Sequence, residues 1–292
     1  MKFNRLALDL QRGLWAINPD ALSIFGAMAY KIVTGQNELT ENVKPQSCLA
    51  YFDSNLNRLR PDKDGFVDVP EGSIAVVEMI GPLIKYGDWC TYGAEDIVLA
   101  LEVADNHPNV IGTILKSDGP GGSVSSIGPF VEFGKNKQKP VVGLYDQACS
   151  AHLWAMLAVC DHVMADNNIS SQIGSVGIML SWMDNKKYLE GLGYEFHEVY
   201  PEESKHKNES VRLAMEGKYE LIKKEMLSPM AIQFQNFVKS KRTNLQTNVV
   251  GVLTGKTFGA DEALEIGFID SIGSMKQARD MVTMLSEMNT IK

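Results

Sequence analysis

The stretch PVVGLYDQACSAHLWAMLAVCDHVMA, residues 140–165, decides the fold. It opens on Pro140 to Tyr145, a β-branched apolar run of strand length. Gln147 to Ser150 follow at the strand's carboxyl end. Ala151 to Val159 is apolar at nearly every position, as a helix buried on all sides must be. Val163 to Ala165 is again a short strand. Strand, helix and strand in direct succession form the repeating unit of a parallel sheet with crossover connections.

The same grammar extends upstream. Ile74 to Ile80 reads as a buried strand stopped by Gly81-Pro82, and Ala94 to Asn106 has helical periodicity. Val110 to Leu115 is another buried strand, ending at the turn Ser117-Asp118-Gly119-Pro120-Gly121-Gly122. A helix is predicted from near Ser125 to Lys135. Downstream, Tyr194 to Tyr200 reads as a strand. Residues 1–70 read as an N-terminal arm, with short helical patterns at Leu6, Leu8 and Leu10 and from Ala21 to Val33, then a polar, loop-like stretch from Gln36 to Pro70. Residues 71–285 form the main α/β domain, and 286–292 a tail.

Composition narrows the function classes. The chain has 292 residues, 45% hydrophobic and 22% charged, with 36 acidic against 28 basic side chains and a net charge of -8. No Lys/Arg block is long enough to neutralise a phosphate backbone, so nucleic acid is not expected as a partner. Lys239 to Arg242 reads as a solvated helix face. Cys48, Cys90, Cys149 and Cys160 show no CxxC and no pairing with histidines, so neither a zinc site nor a disulfide framework is expected. Arg5, Asp9, Gln11 and Arg12 interrupt the apolar core of about 7–15 residues that a signal peptide needs. No run approaches the roughly 20 apolar residues of a membrane span. The expectation is a soluble cytoplasmic protein without a membrane anchor or cofactor.

In parallel sheets ligands sit beyond the carboxyl ends of the strands. The Gly-rich turn and Gln147 to Ser150 both fall there. The turn is either a plain tight turn or a set of bare backbone N–H groups able to hold an anion or a developing oxyanion. Ser150 is either the cap of the following helix or a nucleophile at its N-terminus, where orphan N–H groups favour negative charge. Cys149 and Cys160 read as packing residues. A serine nucleophile needs a base. No histidine among His107, His152, His162, His197 and His206 has a context that marks it. Lys205 and Lys207, in YPEESKHKNES (200–210), are either a solvated charged loop or the source of a lysine base.

Taken together, these segments resemble peptidase family S49, the signal peptide peptidase A-like serine proteases, and within it the phage and prophage branch that processes capsid or scaffold proteins. SDGPGGSV (117–124) is similar to the family's Gly-rich segment, and ACSAHLWAMLAVCDHVMA (148–165) to its nucleophile block. IGSVGIM (173–179) is similar to its GS(I/V)GV segment, and LTGKTFGADEALEIGFID (253–270) to its C-terminal block. The blocks appear in the family's order. The resemblance implies a ClpP/crotonase-like fold of repeated β-β-α units and a Ser-Lys dyad. Ser150 becomes the nucleophile, Lys207 the base with Lys205 as fallback, and Ser175 the serine that supports the lysine. The oxyanion hole falls to Gly121 or Gly122 with Ala151. It further implies a polypeptide substrate and a homo-oligomeric ring whose neighbouring subunits share a site. Ala151-His152 stands where the family usually has Gly-Gly. Two other readings stay open: a catalytically inactive ring-forming scaffold of the same fold, and a crotonase-type acyl-CoA enzyme, for which the helix after the Gly-rich turn offers only Glu132.

Overall fold

The computed structural model describes residues 14–17, 47–87, 92–182 and 184–290. The helical patterns expected at Leu6 to Leu10 and Ala21 to Val33 lie outside them. In chain order the strands are β1 (Leu14–Ile17), β2 (Leu49–Phe52), β3 (Ser73–Ile80), β4 (Val110–Gly119), β5 (Gly121–Ser123), β6 (Val141–Cys149), β7 (His162–Ala165), β8 (Gln172–Gly174), β9 (Met179–Leu180), β10 (Thr257–Gly259) and β11 (Ser271–Ile272). The helices are α1 (Ala94–Asn106), α2 (Ile127–Asn136), α3 (Ala151–Val159), α4 (Lys186–Gly191), α5 (Glu209–Met215), α6 (Ser228–Lys241), α7 (Ala260–Glu265) and α8 (Met275–Thr290).

The main sheet runs β10-β8-β6-β4-β3-β2, with β7 also on β6 and β11 on β7. The pairs β3–β4, β4–β6, β6–β7 and β6–β8 are parallel, while β2 and β10 close the edges antiparallel. β6 changes partner along its length. Val142 to Tyr145 pair with β7, and Gln147 to Cys149 pair with β8. That switch splits the neighbouring strands at the carboxyl end of β6, which is where a crevice opens in sheets of this kind.

Alternation along the strands divides the core. Val77 and Met79 of β3 face a large cluster with Ile97 and Leu101 of α1, Phe130 and Phe133 of α2, the apolar residues of α3, and Phe234 and Val238 of α6. Ile74 and Val76 face the other side, where Ala278 and Val282 of α8 cover them with Ile114, Val142 and Met164. Every residue of α3 is buried, as its nearly all-apolar sequence predicts. Trp154 stacks on Phe234 with ring centroids 4.3 Å apart and planes 3° from parallel. Side chains of this size each stabilise the fold by about 1.5–3 kcal/mol when removed from water.

The structure corrects the sequence reading in places. β4 and β6 do not stop at Leu115 and Tyr145. They continue through Lys116, Asp118, Asp146 and Gln147, because each strand hydrogen-bonds the other across Asp118↔Gln147 and Gly119↔Ala148. Leu49–Phe52, inside the stretch read as loop-like, pairs with Ile74 to Val77, so the sheet begins before residue 71. Tyr194 to Tyr200 is not a strand. Its alternation finds no neighbouring strand, and the side chains from Tyr194 to Val199 stay exposed.

Candidate active site

Ser150 is the junction between β6 and α3. Its backbone has φ 56° and ψ -111°, a region that non-glycine residues enter only under strain of about 1–3 kcal/mol. The fold holds it there from both sides: the Ser150 N–H donates to the Gly174 carbonyl (2.8 Å), and its own carbonyl accepts from the Trp154 N–H (3.0 Å). Ser150 stands at the N-cap of α3, yet its hydroxyl makes no capping hydrogen bond. The ordinary reason for a serine at this position is therefore absent. The first-turn N–H groups of α3, Ala151's among them, have no intrahelical acceptor and point out of the helix start.

The other sequence-marked residues gather at the same edge. Gly119 pairs with Ala148, two residues before Ser150, and β5 begins at Gly121 with φ 114°. β5 packs against α3. On one side it is tied to Leu83: Leu83 N–H donates to the Gly121 carbonyl (2.9 Å), and Ser123 N–H donates to the Leu83 carbonyl (2.8 Å). Because backbone groups alternate in direction along a strand, the Gly122 N–H and carbonyl face the opposite side. A Cβ on Gly122 would lie 1.9 Å from the Leu83 carbonyl oxygen, so only glycine fits.

Cys149↔Gly174 is the last pair between β6 and β8, which brings Ser175 beside Ser150. Ser175 also has positive φ, 55°, and its N–H donates to the Lys256 carbonyl (2.7 Å). Ser150, Ser175, Ala151 and the Gly121-Gly122 turn thus share one end of the sheet.

Lys207 and Lys205 are not brought there by contacts within the chain. Both are exposed, on a loop before α5, where Lys207 N–H donates to the Ser204 carbonyl (2.9 Å) and Lys205 Nζ pairs with Glu202 (3.1 Å). The histidines are committed elsewhere. His206 is 2.6 Å from Glu209, His197 is 3.3 Å from Glu195, and His162 is 2.8 Å from the Ser271 hydroxyl. Glu132, the only acid the acyl-CoA reading could draw on in α2, is exposed and accepts from Asn136 and Lys135.

One residue of the site carried no mark in the sequence. His152 is fully buried, with Nε2 2.7 Å from the Gly81 carbonyl and Nδ1 2.9 Å from the Ser117 hydroxyl. A carbonyl only accepts, so Nε2 carries the proton and the Ser117 hydroxyl donates to Nδ1. Both ring nitrogens are spent, which leaves neither for Ser150. Burial pushes the His152 pKa down to about 4. Gly119 allows the ring its place, since a Cβ there would lie 2.2 Å from Nε2. The ring thus ties α3 to the ends of β3 and β4 and fixes the Gly-rich turn relative to Ser150.

Burial raises the Cys149 thiol to about 12, so this immediate neighbour of Ser150 stays protonated and unreactive at neutral pH. Among the described residues no group of three or more His, Cys, Asp or Glu is placed to hold a metal ion, and no helix is long and apolar enough to cross a membrane.

Residues 134–289 match the sequence profile of Peptidase family S49. Protease 4 of Haemophilus influenzae is 26% identical over 235 residues, which are 79% of this chain and 37% of that protein's length. Two solved structures of the 1510-N membrane-bound stomatin-specific protease are also similar. One is a serine-to-alanine mutant, and the other a lysine-to-alanine mutant in complex with a substrate peptide. Each has a TM-score of 0.44 at 16% identity over 68% of this chain, covering 78% and 74% of theirs.

Proposed function

The chain belongs to peptidase family S49, and on that premise we propose that it is a serine endopeptidase in which Ser150 attacks the peptide carbonyl with Lys207 as base. The observation that carries this is the strained Ser150 backbone, held between Gly174 and α3 with no capping bond to explain it. Strain of this kind is retained where a hydroxyl must stand clear of its own helix. The Ala151 N–H and an N–H of the Gly121-Gly122 turn lie at the same end of the sheet and would stabilise the oxyanion.

Neutral Lys207 would take the Ser150 proton during attack and pass it to the leaving amine. Water would then repeat the cycle on the acyl-enzyme. A lysine is neutral near pH 7 only in a dry site, and in the single chain Lys207 faces solvent. A second copy would therefore complete the site, with Ser175 steadying the incoming neutral amine, and a closed ring of copies would do this for every subunit. The matched region spans 37% of Protease 4, so the assignment to polypeptide cleavage rests on the residues above. Capsid or scaffold processing in the cytoplasm of a host cell is the role that the motif spellings favour.

The test is cleavage of an unfolded protein such as casein, and of capsid proteins encoded beside this chain, followed by intact-mass spectrometry. Wild type is expected to cut, while Ser150→Ala and Lys207→Ala should each lose at least about a hundredfold, the range over which a missing nucleophile or base is felt. Loss in Ser150→Ala alone would move the base to Lys205. A well-assembled wild type that cuts nothing would leave the inactive-scaffold reading standing instead.

A further inference from the structure

The small second sheet has the order β5-β1-β9, so the N-terminal strand β1 lies between the Gly-rich strand and the strand that follows Ser175. Both of its pairings are antiparallel. Trp15 stands opposite Ser123, Ala16 opposite Gly122 and Ile17 opposite Gly121, while Leu14 and Trp15 face Leu180 and Met179.

We propose that residues 14–17 act as an internal competitor, filling the slot between β5 and β9 in which the peptidase reading seats an extended substrate. This rests on the peptidase reading of Ser150. Several features point the same way. β5 is already satisfied by Leu83 on its other edge, so its open edge is the one bearing the Gly122 N–H and carbonyl. β9 is two residues long and pairs with β1. Together they leave a template that any extended chain can join through backbone bonds alone, which is how strand addition binds peptides without regard to most of their sequence.

The direction also fits. β1 passes from Ser123 at Trp15 to Gly121 at Ile17, so the chain advances toward the turn beside Ser150. A substrate entering this way would carry its carbonyls toward the donors named above. Finally, β1 is four residues long and can be displaced at little cost compared with the central sheet.

The experiment uses the full chain with Ser150→Ala, so that nothing is cut, and adds Ala16→Pro or Trp15→Pro. Proline at 16 removes the N–H on the β5 side, and proline at 15 the one on the β9 side. The probe is a fluorescein-labelled peptide of residues 10–20, followed by anisotropy, with hydrogen exchange read by mass spectrometry. Both proline variants should bind the peptide at least about tenfold tighter than the parent, because the competent fraction of the groove rises. Exchange at Gly121–Ser123 and Met179–Leu180 should quicken while β3 and β4 stay protected, which reports that the fold is intact.

Equal affinity in parent and variants with β3 and β4 protected would overturn the proposal. So would unchanged exchange in β5 and β9. With Ser150 restored, the same proline variants are assayed for casein cleavage and for labelling of Ser150 by a fluorophosphonate. Tighter peptide binding without labelling or cleavage would sink the peptidase reading and leave the groove. Equal binding with undiminished cleavage would do the reverse.

Discussion

His152 stands at the second position of α3, inside a helix that is otherwise apolar, and both of its ring nitrogens are used within the protein. Its burial makes it a source of acid lability with a definite sign. In the unfolded chain the imidazole gains a proton as pH falls through about 6.5, whereas in the fold it stays neutral down to about 4. Between those values the unfolded state binds more protons, so stability falls as pH drops, and it is flat with respect to this group above about 6.5. At about pH 5 the loss is on the order of 2 kcal/mol. Urea unfolding near pH 7 and near pH 5 should show wild type losing that much more than His152→Gln, whose amide keeps a donor for Gly81 but does not titrate. An equal loss in both proteins would mean that carboxylates, not His152, set the acid limit. Nothing in the sequence marked this residue, because its partners lie 35 and 71 positions away and contacts at that range leave no local pattern.

At the scale of elements, α2 and α3 meet closely enough that one glycine matters and another does not. Gly134 faces α3, and a Cβ on it would lie 1.9 Å from the Ala158 carbonyl oxygen, whereas Gly128 in the same helix has open space around it. Replacing a helical glycine by alanine ordinarily stabilises by about 0.5–1 kcal/mol. Gly128→Ala should therefore be neutral or raise the melting temperature. Gly134→Ala should destabilise by about 1–3 kcal/mol, because the helices must separate. Thermal melts of the two variants decide it, and a stabilised Gly134→Ala would show that the α2–α3 packing is looser than described. The extents of α1 and α3 were legible in the sequence because helical periodicity and an unbroken apolar run are local signals. The true lengths of β4 and β6 were not, since polar residues interrupt the apolar runs at Lys116 and Asp146 and the strands are extended beyond them only because each pairs with the other. Tyr194 to Tyr200 shows the converse, with an alternating pattern and no partner to pair with. Ser150 and the Gly-rich turn could be read as candidates from their place at strand ends, but the positive φ of Ser150 and Ser175 could not, because tertiary hydrogen bonds impose it.

At the scale of the whole molecule, the segment from Asp184 to Tyr219 departs from the behaviour of the rest. Ala214 is its one buried hydrophobic residue, while Tyr188, Leu192, Tyr194, Phe196, Val211 and Met215 are exposed and Val199 is 91% exposed. Apolar side chains concentrated in one exposed segment are the pattern of a surface built to be covered, and Lys207 lies within it. If that molecule is a second copy, then Ser150 and Lys207 of one working site come from different subunits, and each single variant carries what the other lacks. Ser150→Ala and Lys207→Ala proteins, each inactive alone, should then regain activity when co-refolded in equal amounts. With random assembly, about a quarter of the sites pair an intact serine with an intact lysine, so about a quarter of the wild-type rate is expected. A dyad contained within one chain predicts none, because no subunit in the mixture has both groups. Casein cleavage by the co-refolded mixture, set against the same proteins refolded apart and then combined, separates the two cases.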